Sequence, residues 1–151
     1  MPQNNTPITK LLNRKSSDVY STSPDQSVFE AVAEMNRHRV GSLVVLEEQK
    51  LVGIFTERDV LTRVVAKTLD PQTTRIADVM TPDPQFLHTT DTIATAMQKM
   101  TEKRTRHLPV FDTVDCLVGL ISIGDVTRWQ MEEHQVEAEH LKNYVFGEYS
   151  A

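Results

Sequence analysis

The chain is poor in several kinds of residue, and each shortage excludes something. It holds one cysteine, Cys116, in 151 residues. A single thiol excludes an internal disulfide and a cysteine-rich metal site. Cys116 opens an apolar run, so a small buried thiol is expected rather than a reactive one. His38, His88, His134 and His140 have no metal-ligand spacing to cysteine or to one another, and are expected at the surface. No phosphate loop of the Gly-x-x-x-x-Gly-Lys type is present, nor a nucleophile with a matching base, nor a pair of catalytic carboxylates. The pairs Glu30/Glu34 and Glu133/Glu137 read as solvated helix charges. A non-enzymatic protein with no bound metal is therefore expected.

Long apolar runs are also missing. No stretch approaches the roughly 20 residues that a membrane helix needs. Met1 to Asn5 has neither an apolar run nor a positive charge, so no secretory signal is expected and the default compartment is cytoplasmic. Net charge is −5, which argues against general nucleic-acid binding. Any anionic ligand must then be met by local positive charge.

What is present is ordinary in bulk and unusual in order. At 39 % hydrophobic and 25 % charged, the composition is that of a soluble globular protein. The order is a repeat. Gly53-Ile54-Phe55-Thr56-Glu57-Arg58-Asp59 returns as Gly119-Leu120-Ile121-Ser122-Ile123-Gly124-Asp125, an offset of 125 − 59 = 66. Upstream, Ser27 to Met35 matches Thr92 to Met100 at an offset of 65, as do Arg39 and Arg104, and Val45 and Val110. The one-residue change falls between Glu47 to Lys50 and Asp112 to Asp115, where a hairpin loop tolerates insertion. Each copy reads as strand, helix, strand, hairpin, strand, helix. About 60 residues bury little alone, so the copies are expected to share a core.

Within each copy a buried strand runs into a helix that starts on a hydroxyl, Thr56 or Ser122, with an acid three residues later, Asp59 or Asp125. The hydroxyl can cap the helix, and the acid lies on the same side. This is either a plain helix start or a nucleoside site. The N–H groups there favour phosphate, and the carboxylate can accept two hydrogen bonds from a ribose diol.

These residues resemble a known family. The two Gly-x-x-[Thr/Ser]-x-x-Asp stretches, Ala31 and Ala96 in the first helices, and Arg106-His107-Leu108-Pro109-Val110-Phe111-Asp112 are similar to a tandem pair of CBS motifs, named after cystathionine β-synthase. The resemblance covers roughly residues 7 to 147 and is to stand-alone two-motif proteins. It implies an α/β (α+β) fold of two β-α-β-β-α motifs packed about a pseudo-two-fold axis. Residues 1–6 are then a disordered start, 7–66 the first motif, 67–75 a linker, 76–130 the second motif and 131–151 a helical extension and tail.

It also implies two clefts, each combining the hydroxyl-x-x-Asp of one copy with strand starts of the other. Cleft one takes Thr56, Arg58 and Asp59, with Phe86, Leu87, Arg106, His107 and Leu108. Cleft two takes Ser122 and Asp125, with Ser21, Thr22, Val40, Gly41 and Ser42. Arg58, Arg106 and His107 fall in cleft one, and their counterparts are Gly124, Gly41 and Ser42. Cleft one is thus expected to bind a phosphorylated adenosine ligand, and cleft two a less charged nucleoside, the other end of a longer dinucleotide, or nothing. Arg104 and Arg106 could equally be surface cations, and His107 a satisfied strand-start histidine. The resemblance implies AMP, ADP, ATP, NAD or S-adenosylmethionine as ligand, a homodimer, and a separate protein effector. A nucleotide-independent dimeric interaction module is the alternative.

Two local expectations remain. Thr56 to Ala66 reads as a regular helix burying Val60, Leu61, Val64 and Val65. The last helix has no Pro or Gly between Gly124 and Gly147 and can run more than five turns. Its stripe of Met131, Ala138, Leu141 and Val145, with Trp129, Tyr144, Phe146 and Tyr149, is expected to meet a second subunit. Folding back on its own module is the other reading.

Overall fold

The computed structural model describes residues 5–15 and 18–146, with the side chains of residues 144–146 left out. The chain is a mixed α+β protein with two sheets, one from each copy. The first runs β1 (Ser21–Thr22), β2 (Ser42–Glu47), β3 (Lys50–Thr56), β4 (Thr81–Pro82) in that order. The second runs β5 (Leu87–His88), β6 (His107–Phe111), β7 (Leu117–Ser122). In each, a parallel first pair is followed by an antiparallel hairpin. Both hairpins slip register at the same repeat position, after Val45 and after Val110. The first hairpin turns tightly on Glu48 and Gln49, whose φ values of 50° and 66° suit the right-handed twist of the strands. The second is longer, and the Asp112 carboxylate accepts from the N–H groups of Val114 and Cys116 at 3.0 and 2.9 Å.

Each sheet carries a first helix, α2 (Val28–His38) or α5 (Ile93–Glu102). Ser27 caps α2 by accepting from Glu30 N–H at 3.1 Å, and Thr92 caps α5 by accepting from Thr95 N–H at 3.2 Å. Apolar residues at helical spacing bury one face: Val28, Ala31 and Met35 in the first copy, Ile93, Ala96 and Met100 in the second. Beyond each helix an arginine takes the left-handed conformation usually left to glycine: Arg39 at φ 55° and Arg104 at φ 52°.

The segment that enters each copy packs on the other one. Helix α1 (Ile8–Arg14) inserts Ile8 and Leu11 into the core around β6, β7 and α5. Helix α4 (Ile76–Val79), which precedes the second copy, inserts Ile76 and Val79 into the core around β2, β3 and α2. The backbone ties match: Ile8 N–H to Asp91 O at 2.7 Å, and Ile76 N–H to Gln26 O at 2.9 Å. Two small cores are thereby cross-linked into one module by their own leading segments.

Several expectations are corrected here. Residues 56–66 do not form a regular helix. A single turn, α3 (Glu57–Asp59), passes into a π-helical stretch, Val60–Val65, in which Ala66 N–H reaches Leu61 O at 2.9 Å. The wider turn alters the facing of the side chains: Val64 stays fully buried, while Leu61 and Val65 are 63 % and 61 % exposed. Cys116 is exposed, because the loop held by Asp112 carries it outside β7. His38 is half-buried, stacked on Tyr20 with ring centroids 3.7 Å apart, rather than at the surface.

Helix α6 (Ile123–Phe146) is 24 residues long. Its Trp129 is 5 % exposed and lies in the second core, under the Arg14 guanidinium, which stands 4.0 Å from the ring centroid. Trp129 therefore folds back onto its own module instead of projecting to a partner. Met131 and Leu141 are exposed at 60 % and 64 %. Residues 1–4 and Tyr149, and the side chains of Tyr144, Val145 and Phe146, lie outside the described residues.

Candidate functional site

The two helix starts show the same local chemistry. Thr56 Oγ1 accepts from Asp59 N–H at 3.3 Å, and Asp59 Oδ2 accepts from Thr56 N–H at 3.0 Å. Ser122 Oγ accepts from Asp125 N–H at 3.1 Å, and Asp125 Oδ2 accepts from Ser122 N–H at 2.9 Å. Each acid thus closes its own turn with one oxygen. Tertiary contacts make the two clefts different.

Cleft one has a volume of about 550 Å³. Thr56, Arg58 and Asp59 meet Arg106 and His107 across it, the grouping that the resemblance implied. It gathers more charge than the sequence indicated: Arg63, Lys103 and Arg104 join, so five lysines and arginines face the acids Glu57, Asp59 and Asp83. Among the described residues no hydrogen bond or ion pair engages the guanidinium group of Arg58, Arg104 or Arg106. Arg63 is different. The widened turn after Asp59 lays it back so that Nη1 donates to Met80 O at 2.8 Å, while Nε lies 3.6 Å from Asp59 Oδ1. Asp59 is 7 % exposed, a buried acid whose free oxygen faces a guanidinium beyond hydrogen-bond distance.

Some expected members are elsewhere. Leu87 and Leu108 are fully buried in the second core, so their side chains are not cleft surface. Phe86 stands outside cleft one, 43 % exposed, edge-on to Phe111 at 5.5 Å and with Lys99 5.5 Å above its ring. It lines a separate groove between the open ends of the two sheets with Phe111, Val44 and Leu46.

Cleft two is about half as large, 270 Å³, and holds Val40, Gly41, Ser42, Ser122 and Asp125 as expected. Ser21 and Thr22 do not line it. Thr22 is buried and bonds Gln26, and Ser21 faces the groove at the sheet ends. The expectation of an uncharged cleft two is corrected. Lys15, Arg39 and His107 all line it. Lys15 Nζ donates to Asp125 Oδ2 at 2.7 Å and to Leu120 O at 2.6 Å. A Cβ at Gly41 would lie 3.3 Å from the Glu57 carboxylate.

His107 borders both clefts. Burial holds its pKa below the ordinary value, and the nearby Asp125 and Glu57 carboxylates only partly offset this. Burial would raise the Asp125 pKa, but hydrogen bonds from Lys15 and the Ser122 N–H outweigh it and the net direction is down.

The missed cleft residues had uneven signals. Asp59 and Arg63 are four apart, a spacing visible in any helix. Arg39 and Arg104 share the repeat offset, so their common place at the two clefts was readable. Lys15 is 110 positions from Asp125 and had no signal at all. Among the described residues no group of His, Cys, Asp and Glu could hold a metal ion, and no helix is long and apolar enough to cross a membrane.

A family model for the CBS domain matches residues 12–66 and 76–132. The chain belongs to the CBS domain family. This CBS pair is 38 % identical over 130 residues to the mitochondrial CBS domain-containing protein CBSX3 of Arabidopsis thaliana. The match covers 83 % of this chain and 63 % of the plant protein, so the chain spans less than two thirds of that relative. Among solved structures, the CBS-domain protein ATU1752 of Agrobacterium tumefaciens is 34 % identical with a TM-score of 0.77, covering 83 % of this chain and 99 % of that one. PAE2072 of Pyrobaculum aerophilum, solved complexed with AMP, is 27 % identical with a TM-score of 0.70, covering 79 % and 88 %.

Proposed function

We propose that this CBS pair is a non-enzymatic regulatory module that binds an adenosine nucleotide in cleft one. The observation that carries the reading is a set of guanidinium groups without partners among the described residues, those of Arg58, Arg104 and Arg106, lining one cleft with Asp59 in a chain of net charge −5. Guanidinium groups left without carboxylates in an acidic protein suit phosphate oxygens. Asp59 Oδ1 is placed to accept from a ribose hydroxyl, and Thr56 lies beside it. The AMP complex of PAE2072 supports AMP as the first ligand to test.

The ligand touches both copies, Thr56 to Asp59 of one and Arg104 to His107 of the other. It therefore favours one angle between the halves over others, and a separate effector protein reads that angle. The module acts as a homodimer, with exposed Leu61, Val65, Met131 and Leu141 as the apolar surface available for the contact. That surface also supports a second reading, a dimeric interaction module that needs no nucleotide.

Thermal unfolding with AMP, ATP, NAD and S-adenosylmethionine separates the two. A ligand at about 100 times its Kd adds roughly 2.7 kcal/mol. The nucleotide reading expects a rise of several degrees with one of these ligands that is lost in both Asp59→Ala and Arg106→Ala. No rise with any of them leaves the interaction module.

A further inference from the structure

Cleft two contains its own cation. Lys15 follows α1, and α1 is fixed at two points. Ile8 and Leu11 are sunk in the second core, and Leu12 lies against Gly119. The lysine stem is thus delivered to cleft two from a rigid element, not from a wandering tail. Its ammonium makes two charge-assisted hydrogen bonds, 2.7 Å to Asp125 Oδ2 and 2.6 Å to Leu120 O. Lys15 and Asp125 side chains are 28 % and 14 % exposed, so solvent screening of the pair is reduced.

The repeat supplies the control. The leading segments α1 and α4 correspond at an offset of 76 − 8 = 68, since Ile8 and Ile76 occupy matching places. At that offset the counterpart of Lys15 is Asp83, which lines cleft one. An ammonium faces the helix-start acid in one cleft, and at the matching position a carboxylate lines the other. In cleft one the only ion pair to Asp59 among the described residues is longer, 3.6 Å to Arg63, and that guanidinium is held by Met80 O instead. The free volumes follow the same order, 270 Å³ against 550 Å³.

We propose that Lys15 closes cleft two by occupying the place beside Asp125 that a ribose diol would take, so that the chain binds one nucleotide, not two. The lysine neutralises the acid, fills part of the cavity and ties it to the β7 backbone. A diol offers only neutral donors, which do not replace an ammonium on a partly buried carboxylate. This inference rests on the reading that the clefts take adenosine ligands, and the test keeps the two apart.

Isothermal titration with AMP on four proteins decides it: wild type, Asp59→Ala, Lys15→Ala and the double variant. The expected stoichiometries per chain are one, none, two and one. Lys15→Met, which keeps the apolar stem, is run beside Lys15→Ala, and thermal unfolding confirms that each variant is folded. If Asp59→Ala still binds one AMP, cleft two is open in the presence of Lys15 and the inference falls, while adenosine binding stands. If the double variant and Lys15→Met with Asp59→Ala both bind none, Lys15 was not what kept AMP out and the inference falls. If wild type binds none but the double variant binds one, the cleft-one reading fails and the closing role of Lys15 stands.

Discussion

A Cβ added to Gly119 would stand 2.7 Å from Leu12 Cδ2, and one added to Gly53 would stand 2.6 Å from Met80 Sδ. The two glycines are repeat partners, and so are the two side chains that lie on them. Each glycine lets the leading segment of the other copy settle on its sheet. The contacts differ in one respect. Beside Gly53 there is also backbone, Thr81 O at 2.9 Å, whereas the three nearest atoms beside Gly119 are all Leu12 side-chain atoms. A side chain can rotate away, but a strand paired in the sheet cannot. Gly53→Ala is expected to cost more than Gly119→Ala, with overpacking worth about 1–3 kcal/mol. Urea unfolding of the two variants checks the order.

Trp129 Nε1 is buried with no hydrogen-bond partner among the described residues. An unpaired N–H in a core costs roughly 1–3 kcal/mol. Trp129→Phe removes the orphan donor and keeps an aromatic ring for Arg14. Its loss of packing is thus offset, and its stability is expected to lie within about 1 kcal/mol of wild type. Trp129→Ala is expected to lose roughly 3–5 kcal/mol. Denaturant midpoints at constant m-value measure both.

Asp125 has a folded pKa below its ordinary value. The unfolded chain therefore binds the proton more tightly than the folded one. The stability this provides is present above about pH 4 and is lost as pH falls through the folded value. Lys15→Met removes the main cause that lowers this pKa. Stability measured from pH 6 to pH 2 should fall more steeply in wild type than in the variant at the acid end.

His107 also has a lowered pKa, with burial as the leading cause. On acidification the unfolded chain therefore takes this proton before the folded one does. Stability is full above about pH 6.5 and declines below it, towards the folded pKa. A phosphate bound in cleft one would favour the charged imidazole. AMP is then expected to raise the His107 pKa. An NMR titration of the imidazole with and without AMP checks this.

Arg106→Ala and Arg58→Ala each remove one guanidinium from cleft one. A hydrogen bond to a charged group is worth about 1.5–3 kcal/mol, so each is expected to weaken AMP binding roughly 10- to 100-fold. Arg37→Ala, whose partner is Glu34 on α2, should leave the affinity unchanged. Titrations at two salt concentrations should show the dependence shrinking in the two cleft variants.

The repeat was legible because a periodic apolar pattern dictates local structure. Matching glycines, hydroxyls and acids at offsets of 65 and 66 identified both hairpins and both helix starts, while the opposed packing of the copies was implied by the resemblance. The long last helix followed from an uninterrupted run without Pro or Gly. Thr56, Arg58, Asp59, Arg106 and His107 line cleft one together, a grouping that the family resemblance implied and that no local pattern carries, since it joins the two copies. Three things were decided only by the fold. The widened turn after Asp59 exposes Leu61 and Val65 and sets Arg63 on the Met80 carbonyl; no pattern distinguishes it from a regular helix. The leading segments cross to the opposite copies, a choice made by which core has room for Ile8 and Ile76. And the difference between the clefts depends on Lys15 reaching Asp125 across 110 residues, a contact that exists only once α1 is seated in the second core.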